Sequence, residues 1–190
     1  MQEPIPGVAA PDATAGFGPA GMLLLRLAKL MAISGGLVFV ALVVMSIVSI
    51  VGRKLASAPV PGDVELLQVC AAFASAAFFA YCHLNAGDVK VDFFTHNLAR
   101  SKVQFLDAIG SLLVGLFGAL IAWRAGAGAL SARESGETTM ILGWPLWIGE
   151  MLMVPGFVLL AAAGLYMAGV HWRLRRAART EQHASAEGSS

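Results

Sequence analysis

Four stretches of the chain are apolar for more than twenty residues at a time. Leu30 to Val51 runs 22 residues without an ionisable group and is closed by Arg53 and Lys54. Leu66 to Gly87 is another 22, with His83 near its end, and Val103 to Trp123 is 21, holding only Asp107 near its start. The fourth, Met151 to Trp172, is 22 residues long, preceded by Glu150 and ended by Arg173. About 20 apolar residues at a 1.5 Å rise cover a hydrocarbon core of roughly 30 Å. Spanning segments must be helical, because lipid offers backbone N–H and C=O groups no partner. The pattern predicts an all-α integral membrane protein with four transmembrane helices at about 30–52, 64–84, 103–124 and 147–172. A disordered segment, 1–25, precedes this domain of 26–172, and a basic, then disordered, tail of 173–190 follows it.

The segments between the spans differ in kind. Pro4, Pro6, Pro11 and Pro19, set among glycines and alanines, make the lead-in unsuited to a packed element. Its lack of a basic start and the length of the first apolar run argue against a signal peptide. Ala58-Pro59-Val60-Pro61-Gly62 is a short turn, after which Asp63 is positioned to cap the second helix. After the second helix, Val91, Phe94, Leu98 and Phe105 recur at helical spacing while Asp92, Asn97 and Arg100 fall elsewhere. That suits a short helix lying in the interface plane, with a plain loop as the alternative. Gly126 and Gly128 are expected to end the third helix, which leaves Gly126 to Gly143 as the longest segment on its side.

Composition agrees with the spans: 57% of residues are hydrophobic and 13% charged, against about 25% charged in soluble domains. A water-soluble chain of 190 residues could not hide so much apolar surface. A net charge of +1 gives no reason to expect a nucleic acid or another polyanion as partner. The 13 Lys and Arg are unevenly divided: nine lie in the N-terminal part, the second loop and the tail, and four in the first and third loops. The excess of cations on one side predicts that both termini are cytoplasmic. Trp123, Trp144, Trp147 and Trp172 all fall near span ends, where tryptophan anchors to the membrane–water boundary.

Candidate chemistry inside the membrane is sparse. A mid-membrane charge costs roughly 2.5–3.5 kcal/mol on insertion scales and marks an ion or substrate path. None occurs here; Asp107 and Glu150 lie near span ends. Pro155 with Gly156 is one break in one helix, not the paired breaks that build a carrier's substrate site. A carrier acting alone is therefore not expected. Small residues recur every fourth position, as Ala72, Ala76 and Ala80 on the second helix and Ser111, Gly115 and Ala119 on the third. Such seams let backbones approach closely, either within a four-helix bundle or against a second membrane protein. Cys70 and Cys82 are 12 residues apart on one helix and cannot pair. His83 and His171 fall near the same membrane face, and a haem held between them, as in a cytochrome b-type subunit, is the alternative function. Otherwise no metal or cofactor set and no nucleophile–base set is apparent. Arg53, Asp63 and Glu65 flank one turn. They are either a snorkelling cation beside solvated acids or a polar cluster in which Arg53 pairs with Glu65 or with an acid on a partner.

Three local patterns carry a family resemblance. The first is Gly52-Arg53-Lys54 followed by Val60-Pro61-Gly62-Asp63-Val64-Glu65-Leu66, an Arg after helix one, a Pro-containing turn and an acid-rich start to helix two. The second is Gly87-Asp88-Val89-Lys90-Val91-Asp92 after helix two. The third is Thr139-Met140-Ile141-Leu142-Gly143-Trp144-Pro145-Leu146-Trp147, with Pro155-Gly156-Phe157 further on. In this order and spacing, from roughly Leu30 to Val170, they resemble the small membrane subunit (Q subunit) of tripartite ATP-independent periplasmic, or TRAP, transporters. Asp88 departs from the family's usual His, so no role of that His transfers. The resemblance implies that Arg53, Glu65 and Asp92 are structural or interaction residues. It also implies a large membrane subunit (M) that holds the substrate and sodium sites and moves like an elevator. A periplasmic substrate-binding protein (P) would capture an organic acid anion. The small subunit would be a non-catalytic scaffold in the bacterial inner membrane, with docking of the binding protein as a further role.

Overall fold

A computed structural model describes residues 17–56, 60–85 and 100–187. They form four helices: α1 (Pro19–Ala56), α2 (Asp63–Leu84), α3 (Arg100–Ser135) and α4 (Leu146–Glu187). All four are long and apolar enough to cross a membrane. Among the described residues no strand forms; there is only an isolated antiparallel bridge between Thr138 and Pro145. The expected interfacial helix over Val91, Phe94 and Leu98 lies outside the described residues, as do Asp88 and Asp92.

Three helices outrun their apolar cores. α1 begins at Pro19, a residue whose fixed φ suits the first helical position and whose missing N–H costs nothing there. Gly126 and Gly128 do not end α3, which continues to Ser135. Each helical glycine costs about 1 kcal/mol in propensity. That cost is offset by packing, since Ala129 and Ala132 are both buried. The stop comes at Gly136, whose φ of 69° lets the Glu137 N–H reach the Ala132 carbonyl at 3.2 Å. Where the sequence suggested a disordered tail beyond Arg179, α4 runs on to Glu187. That stretch contains no Gly or Pro and includes the helix formers Glu181, Gln182, Ala184, Ala186 and Glu187. Pro155 and Gly156 do not divide α4 either.

The helices do not close into a bundle. They lie in a row, α1–α2–α4–α3, in which α1 also touches α4, and among the described residues α3 meets neither α1 nor α2. Every neighbouring pair is drawn together by a glycine. A Cβ at Gly35 of α1 would stand 2.9 Å from the Ala74 carbonyl of α2, and one at Gly156 of α4 would stand 2.7 Å from the Ala76 carbonyl. A Cβ at Gly164 of α4 would run into the backbone of Gly115 on α3. Close backbone approach gives dispersion contacts over a long seam, the main attraction available between helices in lipid. α2 lies between two neighbours, so Ala74 and Ala77 are buried as well as Ala76 and Ala80, while Ala72 is half-buried.

The seam on α3 is Ser111, Gly115, Gly118 and Ala122, all buried; Ala119 is exposed. At 3.6 residues per turn a strict spacing of four rotates off the face, and Gly118 takes the place expected of Ala119. Around α4 the core gathers Phe157, Leu160, Ala163 and Met167 with Ala28, Ala80 and Leu84. The outward surfaces of α1 and α3 are apolar and, among the described residues, uncovered, with Leu37 67% and Leu116 65% exposed.

Candidate functional site

Polar side chains converge at the end of the row where α1 ends, α2 begins and α3 passes to α4. Ser49 lies one turn before Arg53 on α1, and both reach the same carboxylate. Ser49 Oγ donates to Asp63 Oδ2 at 2.5 Å, and Arg53 Nη2 approaches the same oxygen at 3.4 Å. Asp63 Oδ1 accepts the Val64 N–H at 2.8 Å. Asp63 is thus not the helix cap. That position is held by Gly62, whose φ of 71° turns the chain into α2.

Glu65 is engaged elsewhere, so the expected Arg53–Glu65 pair is replaced by Arg53–Asp63. The two carboxylate oxygens of Glu65 accept the backbone N–H groups of Ile141 (2.8 Å) and Leu142 (3.1 Å). Those amides belong to the turn between α3 and α4, which has its own brace. The Thr139 N–H donates to the Trp144 carbonyl at 2.8 Å, the Trp144 N–H to Thr139 Oγ1 at 3.1 Å, and the Leu146 N–H to the Glu137 carbonyl at 3.0 Å. Charge-assisted bonds to two successive amides fix direction as well as distance. Leu142 then closes over Gly62, leaving no room for a Cβ there. A shallow apolar groove runs beside the clamp between α2 and α4, walled by Leu66, Val69, Leu142, Trp144 and Leu152. The clamped turn presents Met140, 99% exposed, with Ile141 and Trp144 beside it.

The remaining sequence candidates scatter. Trp147 sits under the Arg133 guanidinium, 5.5 Å from its ring centre, which ties the end of α3 to the start of α4. Pro145 closes the bridge with Thr138. Pro155 is exposed one residue before the Gly156 crossing, whereas Ser111 and Gly115 lie in the α3–α4 seam far from the clamp. Glu150, one turn into α4, is half-buried, with its Oε2 packed where a Cβ on Gly128 would stand 2.8 Å away. At the opposite end His171 Nδ1 lies 3.0 Å from Gln104 Oε1 and His83 is buried. Among the described residues no group of three or more His, Cys, Asp or Glu could hold a metal ion. Sequence reasoning missed Ser49, although its spacing of four from Arg53 was a usable signal, since such residues share a helix face.

The family described as the DctQ component of tripartite ATP-independent periplasmic transporters matches residues 42–174. The chain belongs to the DctQ family. No match is found among curated proteins or among solved structures. The matched stretch contains Ser49, Arg53, Asp63, Glu65, the clamped turn and most of the four-helix row. The chain is thus a small multi-pass membrane component of a TRAP transporter and works in association with that system's other components. The haem reading of His83 and His171 receives no support from this membership.

Proposed function

We infer that this DctQ chain is the non-catalytic scaffold of a sodium-coupled transporter for organic acid anions. In this reading it packs beside a large membrane subunit (M), and its clamped turn helps dock a periplasmic substrate-binding protein (P). The supporting observation is the open row of helices. A closed bundle would hide its best packing surfaces, whereas here the outer faces of α1 and α3 remain apolar and, among the described residues, uncovered. The middles of all four spans carry no ionisable residue with which to bind or drive an ion. Backbone-level glycine contacts make the row a stiff support rather than a moving part. The excess of Lys and Arg at the end bearing the termini supports an inner-membrane orientation with both termini cytoplasmic and the clamp periplasmic.

Reconstitution tests the reading. Proteoliposomes holding this chain with the large subunit, binding protein and a sodium gradient should take up an organic acid anion, and those holding this chain alone should not. Uptake by the isolated chain would overturn the scaffold assignment.

A further inference from the structure

At the end of the row opposite the clamp, α3 and α4 leave a groove on their outer side. Its floor and walls are apolar, formed by Ile109 and Leu112 of α3 and by Gly169 and Trp172 of α4, and Arg173 and Arg176 close it. Gly169 keeps the groove open: a Cβ built there meets nothing within 4 Å. Trp172 is held in place by Arg175, whose guanidinium lies 5.2 Å from its ring and 4.0 Å from that of Phe105. Arg175 thus stacks on both rings, and Arg173 and Arg176 line the groove. The surroundings are strongly cationic. Among the described side chains this end carries Arg26, Lys29, Lys102, Arg173, Arg175 and Arg176 against the one carboxylate of Asp107.

A channel that is apolar along the bilayer, bordered by an interfacial tryptophan and ended by two guanidinium groups has the profile of a phospholipid with a negative headgroup. Guanidinium groups match phosphate oxygens in geometry and charge, and basic pockets between transmembrane helices select anionic headgroups. We propose that the α3–α4 groove ending at Arg173 and Arg176 binds an anionic phospholipid, with an acyl chain along Ile109, Leu112 and Gly169 and the phosphate against the arginines. The assignment rests on this chain's own surface and stands whether or not the transport reading holds.

Native mass spectrometry of the full chain in detergent tests it, using phosphatidylglycerol and phosphatidylethanolamine with identical acyl chains as probes. Phosphatidylglycerol should be retained in preference to phosphatidylethanolamine. R173Q should lower its retention roughly fivefold, the scale of one cation at an anionic surface. G169L adds a side chain into open space on a helix, leaving the fold intact while filling the groove, and should reduce retention of both lipids. A thermal melt matching the parent protein confirms the fold of each variant. Equal retention of the two lipids, or undiminished phosphatidylglycerol binding in a folded R173Q, would overturn the proposal.

Discussion

Glu65 Oε1 lies 2.8 Å from the backbone nitrogen of Ile141, 76 positions further along the chain. With the Leu142 N–H on its other oxygen, this one side chain ties the start of α2 to the turn joining α3 to α4. Because α2 and α3 share no contact among the described residues, the clamp joins parts of the row that the helices leave apart.

Glu65→Gln keeps an acceptor oxygen but loses the charge and one of the two acceptors. The turn should then open locally while the four helices stay inserted. Hydrogen exchange at Ile141 and Leu142 is the measurement, and it should accelerate in the variant while exchange within α2 and α4 stays unchanged. Co-purification with the other transporter components should also fall if the clamped turn is a contact surface.

The glycines of the α3–α4 seam and those on its open side should respond oppositely. A side chain at Gly164 would meet the Gly115 backbone, so Gly164→Leu must push α3 away from α4; overpacking of this kind costs typically 1–3 kcal/mol. Gly126 meets nothing within 4 Å, so Gly126→Ala should raise stability by up to about 1 kcal/mol through helix propensity alone. Thermal unfolding in detergent, followed by tryptophan fluorescence, separates the two directions.

Ser49 and Arg53 share Asp63 but not their surroundings. Ser49 is 1% exposed and the Arg53 side chain 63% exposed. Surface ion pairs contribute little, whereas a buried hydroxyl has no water to replace its partner. Ser49→Val should therefore loosen α1 from α2 more than Arg53→Gln does. Hydrogen exchange in the last turns of α1 reports that contact, and it should accelerate further in the Ser49 variant.

Apolar runs made the four helices legible from the sequence, because lipid permits no other backbone solution for such segments. Less legible were properties that depend on a neighbour. Gly126 and Gly128 looked like a helix end because local propensity says so, and only the burial of Ala129 and Ala132 carries α3 past them. Ala119 was placed on the seam by counting in fours, and the 3.6-residue turn gives that place to Gly118. In the polar cluster, Arg53, Asp63 and Glu65 were recognisable as charges at one turn. Their partners were not, because Glu65 binds backbone amides, which every residue but proline carries and no motif can single out.

Gly62 and Gly136 provide a matched pair for measuring how much the closed turn contributes. Both are left-handed, with φ of 71° and 69°, so alanine at either position incurs a backbone cost of about 1–2 kcal/mol. A Cβ at Gly136 meets nothing, whereas one at Gly62 collides with Leu142. Gly62→Ala must therefore also displace Leu142 and, through it, the amides that Glu65 holds. Its melting temperature should fall further than that of Gly136→Ala, and only Gly62→Ala should speed exchange at Ile141. Trimming the obstructing side chain provides the internal control. In a cycle of Gly62→Ala and Leu142→Ala, the double variant should lose less than the two single losses combined, because the collision is absent once Leu142 is shortened. Additive losses would show that Leu142 does not hold the turn against Gly62.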